Sequence, residues 1–144
     1  MIASAPSVWI ASDPAVPEKS ATGTDGHSVL VVDDEPSIRL LCRVNLELEG
    51  YRVLEAETLA RARERLRDED VSVVLLDVHV GSEDGRELLD EIRSEWPALP
   101  VVLFSGTAPS DAVDMEGADA IIPKPFQLQQ LVGTVSRLAT GAYI

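Results

Sequence analysis

The chain has 144 residues, of which 45% are hydrophobic, and a mean hydropathy of +0.07, values that suit one water-facing domain with a single core and not a membrane protein. With 12 basic and 25 acidic residues the formal net charge is −13, which opposes attraction to nucleic acid or anionic lipid and favours cations and basic partners. The lone cysteine, Cys42, rules out an internal disulfide, and neither a membrane-spanning apolar stretch nor a signal-peptide pattern is visible, so a cytoplasmic location is expected.

Residues 1–27 are rich in Ala, Ser, Pro, Gly and Thr without helical or strand periodicity, and read as a disordered extension carrying one apolar knot, Val8-Trp9-Ile10. His27, just before the first regular segment, is expected in solvent. From Ser28 onward, short Val/Ile/Leu runs alternate with longer amphipathic stretches, the pattern of βα units in a parallel sheet. Five units fit. Strands are predicted at 28–32, 51–55, 72–76, 100–104 and 119–122, and helices at 36–49, 58–68, 84–95, 109–116 and 126–139, giving one domain over 28–140 and a tail at 141–144. Pro36 suits a first helical turn, Gly50 a helix stop, and Thr58 and Asp84 are candidate N-caps. Strands one and three are almost wholly apolar, as burial on both faces of a parallel sheet requires. The basic run Arg61 to Arg67 carries the narrow apolar stripe Leu59, Ala62 and Leu66, and so reads as a solvated helix face and not as a nucleic-acid patch. Cys42 reads as a core residue of the first helix.

Chemistry gathers at the strand ends. Strand one stops at Asp33-Asp34 and strand three at Asp77; if the two strands are parallel neighbours, all three acids converge on the sheet edge where open α/β folds bind ligands. Two carboxylates about 4 Å apart repel by roughly 4 kcal/mol at an effective dielectric of 20, so the cluster calls for a proton or a cation. Oxygen ligands with room for retained water suit magnesium. Strand four ends at Ser105-Gly106 and strand five leads into Lys124 between two prolines, adding a hydroxyl and an ammonium to the same edge. Together these groups suit a metal plus an anion such as phosphate.

These residues resemble the receiver domains of bacterial two-component response regulators. The resemblance covers roughly residues 28–139 and rests on Val31-Val32-Asp33-Asp34-Glu35-Pro36, on Leu75-Leu76-Asp77 through Asp84-Gly85, on Phe104-Ser105-Gly106, on Gly117-Ala118-Asp119 and on Lys124-Pro125-Phe126. It implies a doubly wound, five-stranded parallel sheet in the flavodoxin-like order 2-1-3-4-5. It also implies that Asp77 accepts a phosphoryl group from a phosphohistidine on a sensor histidine kinase or histidine phosphotransfer protein. Asp34 and Asp77 would bind Mg2+ directly, Asp33 directly or through water, and the main-chain carbonyl of His79 would complete the protein ligands. Lys124 would pair with Asp77 and then with the phosphoryl group, Ser105 would hydrogen-bond a phosphoryl oxygen, and a cis bond is implied before Pro125.

Three positions depart from the family pattern. Ile121 stands where an aromatic switch residue is usual, the interval from Ser105 to Lys124 is short by about one helical turn, and Gly81 replaces a frequent proline. With no output segment expected after the last helix, the reading is a stand-alone receiver. It would act on an unknown downstream protein by phosphorylation-dependent contact or onward transfer, and would be no enzyme beyond its own phosphorylation and slow self-hydrolysis. No nucleic acid or membrane partner is expected. The alternatives are a non-phosphorylated pseudo-receiver and a small aspartate-nucleophile phosphohydrolase. The latter typically carries a second acid two residues beyond its nucleophile, where this chain has His79.

Overall fold

The computed structural model describes residues 26–106 and 117–140; the predicted helix at 109–116, the tail at 141–144 and the Val8-Trp9-Ile10 knot lie outside them. Elements run β1 (Ser28–Val32), α1 (Pro36–Leu48), β2 (Arg52–Ala56), α2 (Leu59–Asp68), β3 (Val73–Asp77), β4 (His79–Val80), β5 (Glu83–Asp84), α3 (Gly85–Glu95), β6 (Val101–Ser105), β7 (Ala120–Pro123) and α4 (Leu128–Thr140). Five strands form one sheet in the order β2-β1-β3-β6-β7, every pair parallel. Counting only these five, the order is the expected 2-1-3-4-5. The extra pair, β4 and β5, is a small antiparallel hairpin that the sequence reading missed.

Alternation along the strands divides the core into two layers. Leu30, Val32, Val74, Leu76, Val101 and Leu103 face one side with Leu59, Ala62 and Leu66 of α2 and Leu88, Leu89 and Ile92 of α3. Val29, Val31, Val73, Leu75, Val102 and Phe104 face the other with Cys42 and Leu46 of α1 and Leu131, Val135 and Leu138 of α4. Strands β1, β3 and β6 are buried at every residue, which explains why they lack polar alternation. Buried within α1, the Cys42 thiol is pushed up to about 12, by desolvation first and the nearby Asp33 charge second.

Local signals account for most element ends. Helix α1 closes at Gly50 (φ 96°), whose N–H donates to the Glu47 carbonyl, while the Tyr51 N–H donates to the Leu46 carbonyl. This is a glycine-terminated helix stop, and it occupies the Tyr51 amide, so β2 starts at Arg52 and not at the expected 51. The Thr58 hydroxyl accepts from the Arg61 N–H at 3.0 Å and the Asp84 carboxylate from the Arg86 N–H at 2.9 Å, so both predicted caps form. Strands β3 and β6 each run one residue past prediction, because Asp77 pairs with Phe104 and Ser105 with Pro123 in the ladder. Helix α4 begins at Leu128 and not at 126; its first turn closes where the Leu131 N–H donates to the Gln127 carbonyl, leaving Phe126 outside.

Charged side chains brace the α2–α3 side of the sheet. On α2, Arg61 pairs with Glu64, Arg65 with Glu69, and Arg63 makes two bonds of 2.8 and 2.7 Å to Glu91 of α3. His27, expected in solvent, is half-buried with its Nδ1 at 3.4 Å from the Ser72 hydroxyl, because β1 and β3 start side by side. Among the described residues no helix is long and apolar enough to cross a membrane.

Candidate functional site

The chain runs from β1 outward to β2 and returns on the other side of β1 to β3, so the switch point lies between β1 and β3, at their carboxyl ends. Asp33 and Asp34 follow β1 there and Asp77 closes β3. One carboxylate oxygen from each of Asp33, Asp34 and Asp77 lies within 4.8 Å of the others. Asp33 is fully buried, Asp77 is 8% exposed, and Asp34 is open to solvent.

Lys124, just past β7, reaches into this group. Its Nζ donates to Asp33 Oδ2 at 2.9 Å and to Asp77 Oδ2 at 3.2 Å, with Glu35 at 3.9 Å. The expected Lys124–Asp77 contact is present, but the shorter bond is to Asp33. Backbone amides bind the remaining oxygens: Glu35 N–H donates to Asp33 Oδ1 at 2.9 Å and His79 N–H to Asp77 Oδ1 at 3.2 Å. Burial, then the charge of Asp33, hold the Asp77 carboxyl above its ordinary value against the opposing pull of Lys124. Burial alone would lower the Lys124 ammonium, but its bond to Asp33 and the charges of both aspartates outweigh it and the group is raised.

Ser105, the last residue of β6, is buried beside this edge, and its carbonyl accepts the Lys124 N–H at 2.8 Å. The Lys124–Pro125 peptide bond is cis, as the resemblance implied. Phe126 stacks on buried Phe104 with ring centroids 5.1 Å apart, and the Lys124 ammonium lies 5.8 Å from the Phe104 ring centre. On the far side, Gly85 N–H donates to the Val78 carbonyl at 2.6 Å, and a Cβ on Gly85 would strike the Asp77 carbonyl. Only glycine fits that crossing under the Asp77 main chain. Gly81 turns the β4–β5 hairpin with φ 63°, a conformation proline cannot adopt, which accounts for its departure from the expected residue. The exposed His79 sits in that hairpin opposite Asp84. Ile121 is 38% exposed.

Three carboxylates against one ammonium leave two negative charges uncompensated, the charge of one divalent cation. The donors are hard oxygens and Asp34 leaves the site open to water, so the residues fit magnesium.

The family model for the response regulator receiver domain matches residues 29–136. The chain belongs to this family. Among curated relatives, the KDP operon transcriptional regulatory protein KdpE of Escherichia coli is 36% identical over 108 residues, covering 72% of this chain and 47% of that protein. A putative NtrX-like response regulator of Rickettsia conorii is 39% identical over 115 residues, 76% of this chain and 24% of that one. This receiver domain therefore spans about half or a quarter of the relatives it matches. Of solved structures, the receiver domain of NtrX from Brucella abortus superposes with a TM-score of 0.72 at 34% identity, covering 77% of this chain and 97% of that one. A CheY-like receiver domain protein from Methanospirillum hungatei gives 0.73 at 28% identity, with 78% and 93% covered.

Proposed function

We propose that this receiver domain accepts a phosphoryl group on Asp77 from a phosphohistidine of a sensor histidine kinase or histidine phosphotransfer protein. It would then signal through phosphorylation-dependent contact with a downstream protein or pass the group onward. The observation that carries the reading is the place of Asp77: buried at the end of the central strand, 3.2 Å from the Lys124 ammonium and inside a 4.8 Å cluster of carboxylates.

An Asp77 carboxylate oxygen attacks phosphorus in line, an O–P bond forms, the N–P bond of the donor breaks, and the imidazole leaves with the electron pair and takes up a proton. Such transfer depends on alignment and charge stabilisation. Lys124 faces the incoming oxygens as a cation held by two carboxylates, and the Ser105 hydroxyl would donate to one of them. Asp33, Asp34, Asp77 and the His79 main-chain carbonyl would hold Mg2+, which when bound offsets the charge on the transferring group. Water later attacks the acyl phosphate, so the protein works on itself and is no turnover enzyme for a separate substrate.

The test is incubation with a small acyl-phosphate donor and Mg2+, followed by intact-mass measurement. Wild type should gain one phosphoryl group, Asp77→Asn should gain none, and chelation should abolish labelling. Equal labelling of both proteins removes Asp77 from this role. A second reading, a pseudo-receiver that binds without phosphorylation, is favoured by Ile121 at the usual aromatic switch position, and absence of labelling in wild type would select it.

A further inference from the structure

Asp34, the most exposed of the three acids, is set by the peptide that joins it to Asp33, and one side chain outside the cluster grips that peptide. Arg39, one turn into α1, donates from Nη1 to the Asp33 carbonyl at 2.7 Å and from Nε to Glu55 Oε1 of β2 at 3.0 Å. Its side chain is only 14% exposed. Glu55 is itself held from the other side by Arg43 Nη1 at 2.7 Å. The Asp33 N–H meanwhile donates to the Ala56 carbonyl at 3.1 Å. The turn carrying two of the three acids is thus bound to β2 through its amide and, through Arg39, its carbonyl.

We infer that Arg39 is a positioning residue: its guanidinium, braced on Glu55, fixes the Asp33–Asp34 peptide so that both carboxylates face Asp77 before a cation arrives. The inference rests on the proposed reading of this edge as a Mg2+ site. A planar fork with separate Nε and Nη donors spans two acceptors at once, whereas a lysine ammonium on a flexible stem cannot hold the same pair in one plane. Groups that orient metal ligands from outside the ligand set characteristically change metal affinity by about tenfold or more when removed.

Charge and position predict opposite signs here. Arg39 is a cation near an acid cluster, so by charge alone its removal would tighten Mg2+ binding; as the grip on the Asp33 carbonyl, its removal would loosen it. Calorimetric Mg2+ titration of the full chain should show binding weakened about tenfold in Arg39→Met and several-fold in Arg39→Lys, which keeps the charge. Thermal unfolding in chelator, run alongside, separates positioning from stability. Unchanged or tighter Mg2+ binding in both variants overturns the inference, whatever happens to stability, and if Arg39→Met does not fold, Arg39→Lys decides alone. Wild type that fails to bind Mg2+ would instead bring down the metal-site reading on which the inference stands.

Discussion

Asparagine at position 77 keeps the shape of the side chain and removes its charge, so Asp77→Asn measures what the ionised carboxylate does to the metal-free fold. At an effective dielectric of 20, the 3.2 Å contact with Lys124 attracts by roughly 5 kcal/mol, and a carboxylate pair within the cluster's 4.8 Å limit repels by at least roughly 3.5 kcal/mol. Asp34 is exposed and its repulsion is largely screened. Attraction therefore exceeds the Asp33 repulsion by under about 2 kcal/mol, and the cost of burying a carboxylate, several kcal/mol for a fully desolvated ion, reverses the balance. The raised Asp77 carboxyl has the same origin, burial first and Asp33 second. Asp77→Asn should be more stable than wild type by about 1 kcal/mol near neutral pH without divalent cation, a rise in Tm of about 4 °C. A carboxyl whose folded pKa lies above its unfolded value contributes stability that is complete below the unfolded pKa and lost as pH rises through the folded one. The advantage of asparagine should accordingly open as pH climbs out of the carboxylate range and close below it. Added Mg2+ should reduce or invert the difference by stabilising wild type more. Thermal melts followed by circular dichroism, in chelator and in Mg2+ across the acid-to-neutral range, test all three statements. A less stable Asp77→Asn at neutral pH in chelator, or a difference independent of pH, would refute the electrostatic reasoning.

Lys124→Ala leaves the fully buried Asp33 without its ammonium, and should cost about 3 kcal/mol in denaturant melts without metal, part of it recovered by Mg2+; stability equal to wild type in chelator would contradict the pairing. Gly85→Ala drives a Cβ into the Asp77 carbonyl, so urea unfolding should show a loss of about 2 kcal/mol or more, with slower labelling by the acyl-phosphate donor; unchanged labelling would mean that the crossing does not set the acceptor.

What could be read in the sequence was whatever depends on period and punctuation. Val29 to Val32 and Val73 to Leu76 are apolar at every position, as a parallel strand covered on both faces requires, and the acids that end them had to meet if the strands were parallel neighbours. Gly50, Thr58 and Asp84 mark helix ends for reasons local to the chain, and they do so in the structure. The misses concern partners chosen by side-chain reach. Arg39 in the string is one of several helix charges, and nothing in its spacing says that its guanidinium turns back to the Asp33 carbonyl. Whether Lys124 lies nearer Asp33 or Asp77 depends on where the chain leaves the β6–β7 ladder, set by the Ser105–Pro123 register and the 2.8 Å bond from the Lys124 N–H to the Ser105 carbonyl. The Asp84-Gly85 pair could be recognised as a motif, yet its physical reason, a helix start pressed against the main chain of Asp77, exists only in three dimensions. The division has a physical basis: a strand-end carboxylate is placed by backbone periodicity, which the sequence writes directly. The hand that orients it comes from an element remote in sequence, whose identity is settled by packing. Substitutions at Arg39 and Gly85, which touch none of the three acids' side chains, are therefore the sharper probes of how this edge is organised.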